Sequence, residues 1–289
     1  MGRMTGKVAL VIGAGPNIGG TIAHRLASEG ASVAICDLKA QAMAETVEFL
    51  RSRGFRASGF TADAANDEEV DRAVRSAEET FGAIDVMVNL AGRQRRFDLL
   101  DMTPEDWNEQ MASFATAAAV TTKHAARAML RGNVSGSIIH IASDAAHQGE
   151  PGNSGYSAAK AAVVNFARAA AAELACHRIR VNSISPTCME NNVFKYGRGD
   201  GVRTPRTVRI DDFYRGIPLG RLCRAIDVAN AALFLASEES SFATGIDICL
   251  DGGARAKYWP WMPGDESGRS MDEYCETIAR FRFGEPDAA

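Results

Sequence analysis

The sequence predicts an α/β fold: one domain built on a doubly wound parallel sheet of about seven strands, with helices on both faces and a C-terminal extension. Three observations predict it. Short apolar runs alternate with longer segments of helical periodicity, the rhythm of repeated strand–helix–strand units. The runs are apolar almost without interruption, as strands covered on both faces must be. The first run opens directly into a glycine-rich turn and then into an amphipathic segment.

VALVI at 8–12 is the first strand. Basic residues precede it, but a Gly-rich turn follows with no small-residue cleavage site, so it reads as buried structure and not as a targeting signal. Further strand candidates are SVAIC at 32–36, IDVMVNL at 84–90, SIIHIAS at 137–143, RVNSIS at 180–185 and IDICL at 246–250. Helical patterns lie between them at about 18–29, 39–52, 66–80, 104–131, 155–176 and 226–236. Crossover helices between successive strands make the sheet parallel. No repeat, low-complexity tract or linker divides the pattern, so residues 1–253 read as one domain and 254–289 as an extension. Two stretches stand outside the repeat: the Arg- and Gly-rich loop at about 188–220, and the tail carrying Trp259, Pro260, Trp261 and Pro263.

A chain of 289 residues with 46% hydrophobic and 24% charged residues can bury a substantial core. A net charge of −4 denies it the broad basic surface that non-specific nucleic-acid binding needs. No apolar stretch approaches the roughly 18 residues of a membrane span. The cysteines, Cys36, Cys176, Cys188, Cys223, Cys249 and Cys275, form no C-x-x-C pair and have no zinc-type histidine spacing, so no metal is expected. Free thiols in a reducing cytoplasm are the expectation.

GAGPNIGG at 13–20 joins the first strand to the first helix. Glycines there let the backbone turn sharply and approach a pyrophosphate, while the helix N-terminus offers free N–H groups. Asp37 ends the second strand, where a carboxylate can accept hydrogen bonds from adenosine ribose hydroxyls and repel a 2′-phosphate. It equally suits a cap for the helix near Lys39. Leu38 stands where an NADP site favours Arg, so the expected cofactor is NAD.

Tyr156 and Lys160 lie four residues apart at the start of a helical segment, hence on one face. A free phenol titrates near pH 10; a neighbouring ammonium favours the phenolate and draws that value toward neutrality. Ser143, thirteen residues earlier at a strand's carboxyl end, can hold a substrate oxygen or act as a strand-end cap.

Taken in order, GAGPNIG at 13–19, Asp37, Asp63, NLAG at 89–92, Ser143, YSAAK at 156–160, SP at 185–186 and TGIDICLDGG at 244–253 resemble the short-chain dehydrogenase/reductase family. The resemblance spans about residues 5–253. It implies a Rossmann-type domain with Ser143, Tyr156 and Lys160 catalytic. The cofactor would lie along Gly13, Gly15, Asn17, Ile18, Gly19, Asp37, Leu38, Asp63, Ala64, Asn89, Ala91, Gly92, Tyr156, Lys160, Pro186, Thr187 and Met189. Asp63 would meet the adenine, Lys160 the nicotinamide ribose, and Pro186 the nicotinamide. The reaction implied is hydride exchange between NAD(H) and a secondary alcohol/ketone pair.

Four positions depart from the family pattern besides one of more weight. Ile12, Asn17, Leu90 and Thr187 replace Thr, Gly, Asn and Gly. Asn17 is acceptable because Asn tolerates positive φ. Phe114 stands where an Asn would help hold a water on the catalytic Lys, and a phenyl ring makes no such bonds; Ser113 or a shifted water could substitute. A non-catalytic dinucleotide-sensing protein is the alternative reading.

The family's substrate pocket draws on 93–100, 145–155 and 188–220, with Arg95, His147 and Phe194 as candidate substrate contacts. Arg93, Arg95 and Arg96 in the first segment, and Lys195, Arg198, Arg203, Arg206, Arg209 and Arg215 in the third, suit an anionic substrate or a solvated surface. His147 could equally be merely exposed, and WPWMP could cap a cleft or pack as a surface extension. The resemblance also implies a homo-oligomer, a dimer or tetramer, built through the helices at about 104–131 and 155–176.

Overall fold

β1 (Val8–Ile12) is buried at every residue and leads into α1 (Ile18–Ser28), β2 (Ser32–Asp37), α2 (Ala40–Arg51), β3 (Ala57–Thr61), α3 (Asp67–Phe81) and β4 (Val86–Asn89). The second half follows as α4 (Pro104–Met111), α5 (Ala117–Arg131), β5 (Ser137–Ile141), α6 (Ser154–Leu174), β6 (Arg180–Pro186), α7 (Ala225–Ala236) and β7 (Asp247–Leu250). This computed structural model describes residues 2–190 and 216–256. Phe194, the loop cations from Lys195 to Arg215 and the WPWMP tail lie outside the described residues.

The sheet has seven strands in the order β3-β2-β1-β4-β5-β6-β7. Every pairing is parallel, with Ile12 opposite both Cys36 and Asn89. The chain starts in the middle, builds outward to β3, then crosses back beside β1 to build the other half. Ligands of such sheets bind beyond the carboxyl ends of the strands at that switch.

Alternation along each strand feeds two cores. Ala9, Val11, Val33, Ile35, Val88 and Ile139 pack with Ile22 and Leu26 of α1, Leu50 of α2 and Leu233 of α7. Leu10, Ala34, Met87, Ile138 and Val181 pack on the opposite face with Val74 of α3, Met129 of α5 and Ala171 of α6. Each large side chain so buried contributes about 1.5–3 kcal/mol of transfer free energy.

The helix expected over 104–131 is interrupted. Thr103 and Asp106 form a reciprocal capping box behind Pro104, which fixes the start of α4. Ala112–Thr116 then winds as a π-helix before α5 resumes. That wide turn carries Ser113 and Phe114 toward the sheet edge. β3, unannounced by any apolar run, is an edge strand whose middle residues are only partly buried.

Candidate active site

The turn after β1 is pressed onto the turn after β4. Gly13 has φ +82°, and a Cβ there would lie 2.7 Å from the Ala91 nitrogen, so only glycine fits. A Cβ on Gly19 would lie 2.6 Å from Ala14 Cα. Gly15 is open by contrast, its nearest neighbours being Ala42 Cβ at 3.8 Å and Asp37 Oδ2 at 3.9 Å. Ile18 opens α1 behind Asn17, which supplies no side-chain cap, and the first turn holds no acidic residue. Asn66 caps α3 in front of three acidic residues. Among the described residues, no side chain caps the N–H groups at the start of α1 and no carboxylate stands in its first turn, as an anion site requires. Asn17 has φ −95°, so the sequence-based argument from positive φ is corrected: this turn needs no left-handed residue at 17.

Asp37 ends β2 and turns the chain toward α2. Oδ1 accepts from the Lys39 nitrogen at 2.9 Å and fixes the entry to α2, while Oδ2 faces Gly15. Leu38 beside it is 64% exposed. Asp63 is exposed and its Oδ1 accepts from the Ala65 nitrogen at 2.9 Å, with Ala64 buried behind it. Asn89 is buried, and its Oδ1 accepts from the Ala91 nitrogen at 3.0 Å, shaping Ala91 and Gly92. Pro186 ends β6 opposite Leu250, and the Thr187 nitrogen donates to the Leu250 carbonyl at 3.1 Å. Met189 is buried against the core and bridges to Cys223. The open Gly15, the uncapped α1 terminus and the outward Asp37 oxygen fit a dinucleotide.

Ser143 stands two residues past β5, and its Oγ accepts from the Ala145 nitrogen at 3.2 Å, capping a short 3₁₀ turn at Asp144–Ala146. Tyr156 sits in the first turn of α6, half-buried, with Lys160 one turn further on. Lys160 is buried. Its Nζ donates to the Ile141 carbonyl at 2.8 Å and lies 4.4 Å from the Phe114 ring centroid and 5.8 Å from that of Tyr156. Burial pulls the ammonium down to about 7, so near neutral pH both its forms are populated.

Phe114 is the residue around which this corner packs. Its ring meets Tyr156 edge-on, centroids 5.2 Å apart and planes at 78°. Behind it lie Ala118, Ala142, Ala159, Val163 and Val164. Only 5% of its surface is exposed. A Cβ on Gly92, whose φ is +149°, would land on this ring. Ser113, the expected stand-in for the missing Asn, accepts from the Arg93 nitrogen at 2.7 Å and is engaged with the β4 loop.

Arg95 pairs with Glu109 and stacks over Phe97 at 5.1 Å, and Arg96 pairs with Glu150. His147 is held by Asp247, its Nε2 lying 2.7 Å from Oδ2. Sequence reasoning missed the Ile141 carbonyl as the lysine's partner. It also missed Gln110, fully buried, which bonds the Arg93 carbonyl at 3.2 Å and the Arg95 nitrogen at 3.3 Å. Asp247, a hundred residues from His147, was likewise invisible to spacing.

The sequence pattern of the family described as enoyl-(acyl carrier protein) reductase matches residues 13–255. The chain is 35% identical over 259 residues to the (3R)-3-hydroxyacyl-CoA dehydrogenase of Canis lupus familiaris, covering 87% of this chain and 97% of that protein. It is 32% identical over 255 residues to short-chain dehydrogenase reductase 3a of Arabidopsis thaliana, covering 87% and 96% respectively. Among solved structures, that of NAD⁺-bound xylitol dehydrogenase is similar at a TM-score of 0.80 and 30% identity, over 86% of this chain and 99% of that one.

Proposed function

The chain belongs to the short-chain dehydrogenase/reductase family of oxidoreductases, and from that premise we propose that it exchanges a hydride between NAD(H) and a secondary alcohol/ketone pair, with Tyr156 moving the proton. The observation that carries this reading is the buried Lys160 head, held against the Ile141 carbonyl one helical turn from the Tyr156 phenol. In its charged form that ammonium favours the phenolate left when Tyr156 gives its proton to the substrate oxygen. Bound nicotinamide supplies the hydride chemistry.

Ser143 Oγ already accepts one hydrogen bond from Ala145, which leaves its own O–H free to donate to the substrate oxygen. Gly13, Gly15, Asn17, Ile18 and Gly19 would receive the pyrophosphate. Asp63 and Ala64 would border the adenine, and Asn89, Ala91, Gly92, Pro186, Thr187 and Met189 the nicotinamide half. The outward oxygen of Asp37 and the exposed Leu38 support NAD over NADP. Arg95 and Arg96 are each matched by a glutamate, which favours an uncharged reacting group over the anionic substrate that the cations alone suggested. His147, tied to Asp247, would border the substrate by its ring face. No helix among the described residues is long and apolar enough to cross a membrane. We read the protein as a cytoplasmic homo-oligomer, dimer or tetramer, joined through α4–α5 and α6.

Tyr156→Phe tests the assignment. It should lower kcat by about 10²–10⁴-fold while NADH affinity, read by fluorescence titration, changes little. Undiminished turnover in that variant assigns the proton to another group. Wild-type protein that binds NADH yet turns over no member of a ketone and alcohol panel is instead a dinucleotide sensor.

A further inference from the structure

One cluster of donors takes no part in the hydride and proton transfer above, though it includes His147, placed there beside the substrate. His147, on the loop after β5, meets Asp247 and Cys249, alternate residues of β7 on one face of the sheet; Nε2, Oδ2 and Sγ lie within 4.8 Å of one another, and all three residues are partly buried. His147 Nε2 is 2.7 Å from Asp247 Oδ2 and 3.9 Å from Cys249 Sγ, and the sulfur is 3.3 Å from the same carboxylate oxygen. Bonds of about 2.0–2.3 Å from one zinc ion set tetrahedral donor separations of roughly 3.3–3.6 Å. Each observed separation is within about 0.6 Å of that range, a rotamer-scale adjustment.

We propose that His147, Asp247 and Cys249 form a divalent-cation site of the zinc class, with a fourth position open toward Asp144. Thiolate, imidazole and carboxylate together select zinc over magnesium or calcium. The ligands are pre-oriented: Ser183 and Ser185 both donate to Asp247 Oδ1, the Ser185 bond at 3.0 Å, which leaves Oδ2 for the ion.

The surroundings mark the spot as cation-seeking. Asp144 is 4% exposed, and its Oδ1 is buried with no hydrogen-bond partner. A guanidinium from the chain itself already answers the demand: Arg255 Nη1 donates to Cys249 Sγ at 2.7 Å and lies 3.6 Å from Asp144 Oδ1. Arg255 is one-third exposed, so it can swing out as the ion enters and the Cys249 thiol gives its proton to solvent. The bound ion would tie the turn after Ser143 to β7. This inference stands whether or not the hydride-transfer reading holds.

Cobalt titration of the full-length, chelator-stripped protein is the test. One equivalent of Co²⁺ should bind with a thiolate-to-cobalt charge-transfer band that Zn²⁺ abolishes by displacement. Cys249→Ser should lose the band, His147→Gln should weaken affinity by about tenfold or more, and Arg255→Gln, lacking the competing cation, should tighten it several-fold. Absence of uptake at micromolar cobalt overturns the site, as does a band that persists in Cys249→Ser. Circular dichroism establishes that the variants are folded, and His147→Gln carries the test if Cys249→Ser is not.

Discussion

A phenyl ring at 114 does for Lys160 the opposite of what an amide would do. It offers its π face to the ammonium at 4.4 Å, worth about 0.5–2 kcal/mol, and supplies none of an amide's hydrogen bonds. Desolvation then holds the lysine near 7. Phe114→Asn should hydrate the head and return its titration toward the ordinary lysine range near 10. Nitrogen-15 NMR of Lys160 across pH measures this directly, and an unmoved titration would show that the ring is not what desolvates it. The same replacement empties a packed corner, so a loss of about 2–5 kcal/mol in urea unfolding is expected beside the spectroscopic effect. At the other end of the cleft, Asp37→Ser combined with Leu38→Arg removes a repelling carboxylate and adds a phosphate-binding fork. The ratio of kcat/KM for NADPH over NADH should rise by at least about tenfold, checked by steady-state kinetics with both cofactors.

The π-helix at Ala112–Thr116 is the element that aims this corner. A π turn amounts to one extra residue in an α-helix, and such turns gather at functional sites. Deleting Ala115 should turn this segment into ordinary α-helix with α4 and α5 keeping their faces, since the π turn holds one residue more than an α turn, while the residues on the bulge itself are re-aimed. Ser113 would then lose the Arg93 nitrogen, and Phe114 its place against Lys160. The expected outcome is a fall in kcat/KM of at least about tenfold with helix content retained by circular dichroism. Nothing in the sequence announces this element, because the helical periodicity runs unbroken from 104 to 131. β1, its glycine turn and α1 were legible, because an apolar run, a Gly cluster and an amphipathic period fall in immediate succession. Tyr156 and Lys160 were legible for the same local reason, their spacing of one helical turn. β3 was not: ASGFT has few apolar residues because it is an edge strand, and Gly59 is there because the Met43 side chain occupies the space a Cβ would take. The contact of His147 with Asp247 depends on sheet order and leaves no trace in spacing.

For the molecule as a whole, burial of bases sets the response to acid. His140 on β5 is wholly buried, its Nε2 2.9 Å from Thr122 Oγ1 and its Nδ1 without a partner. Burial first, and then the charge on Lys160, press its titration down to about 3. The unfolded chain takes up this proton near pH 6.5 and the native protein only near 3, so stability is lost progressively as pH falls between those values. His140→Leu should remove on the order of 3 kcal/mol of the decline between pH 6.5 and 4, read by urea unfolding at each pH. The strand order has a further consequence, for synthesis. Ile22 and Leu26 on the inner face of α1 pack with Leu233 of α7, and Arg25 bonds Asn230 across 205 residues of chain. A ribosome adding about 5–20 residues per second needs roughly 10–40 s to deliver that partner. For that interval the nascent polypeptide carries an uncovered apolar helix face, which a cell must shield until the last quarter of the chain emerges.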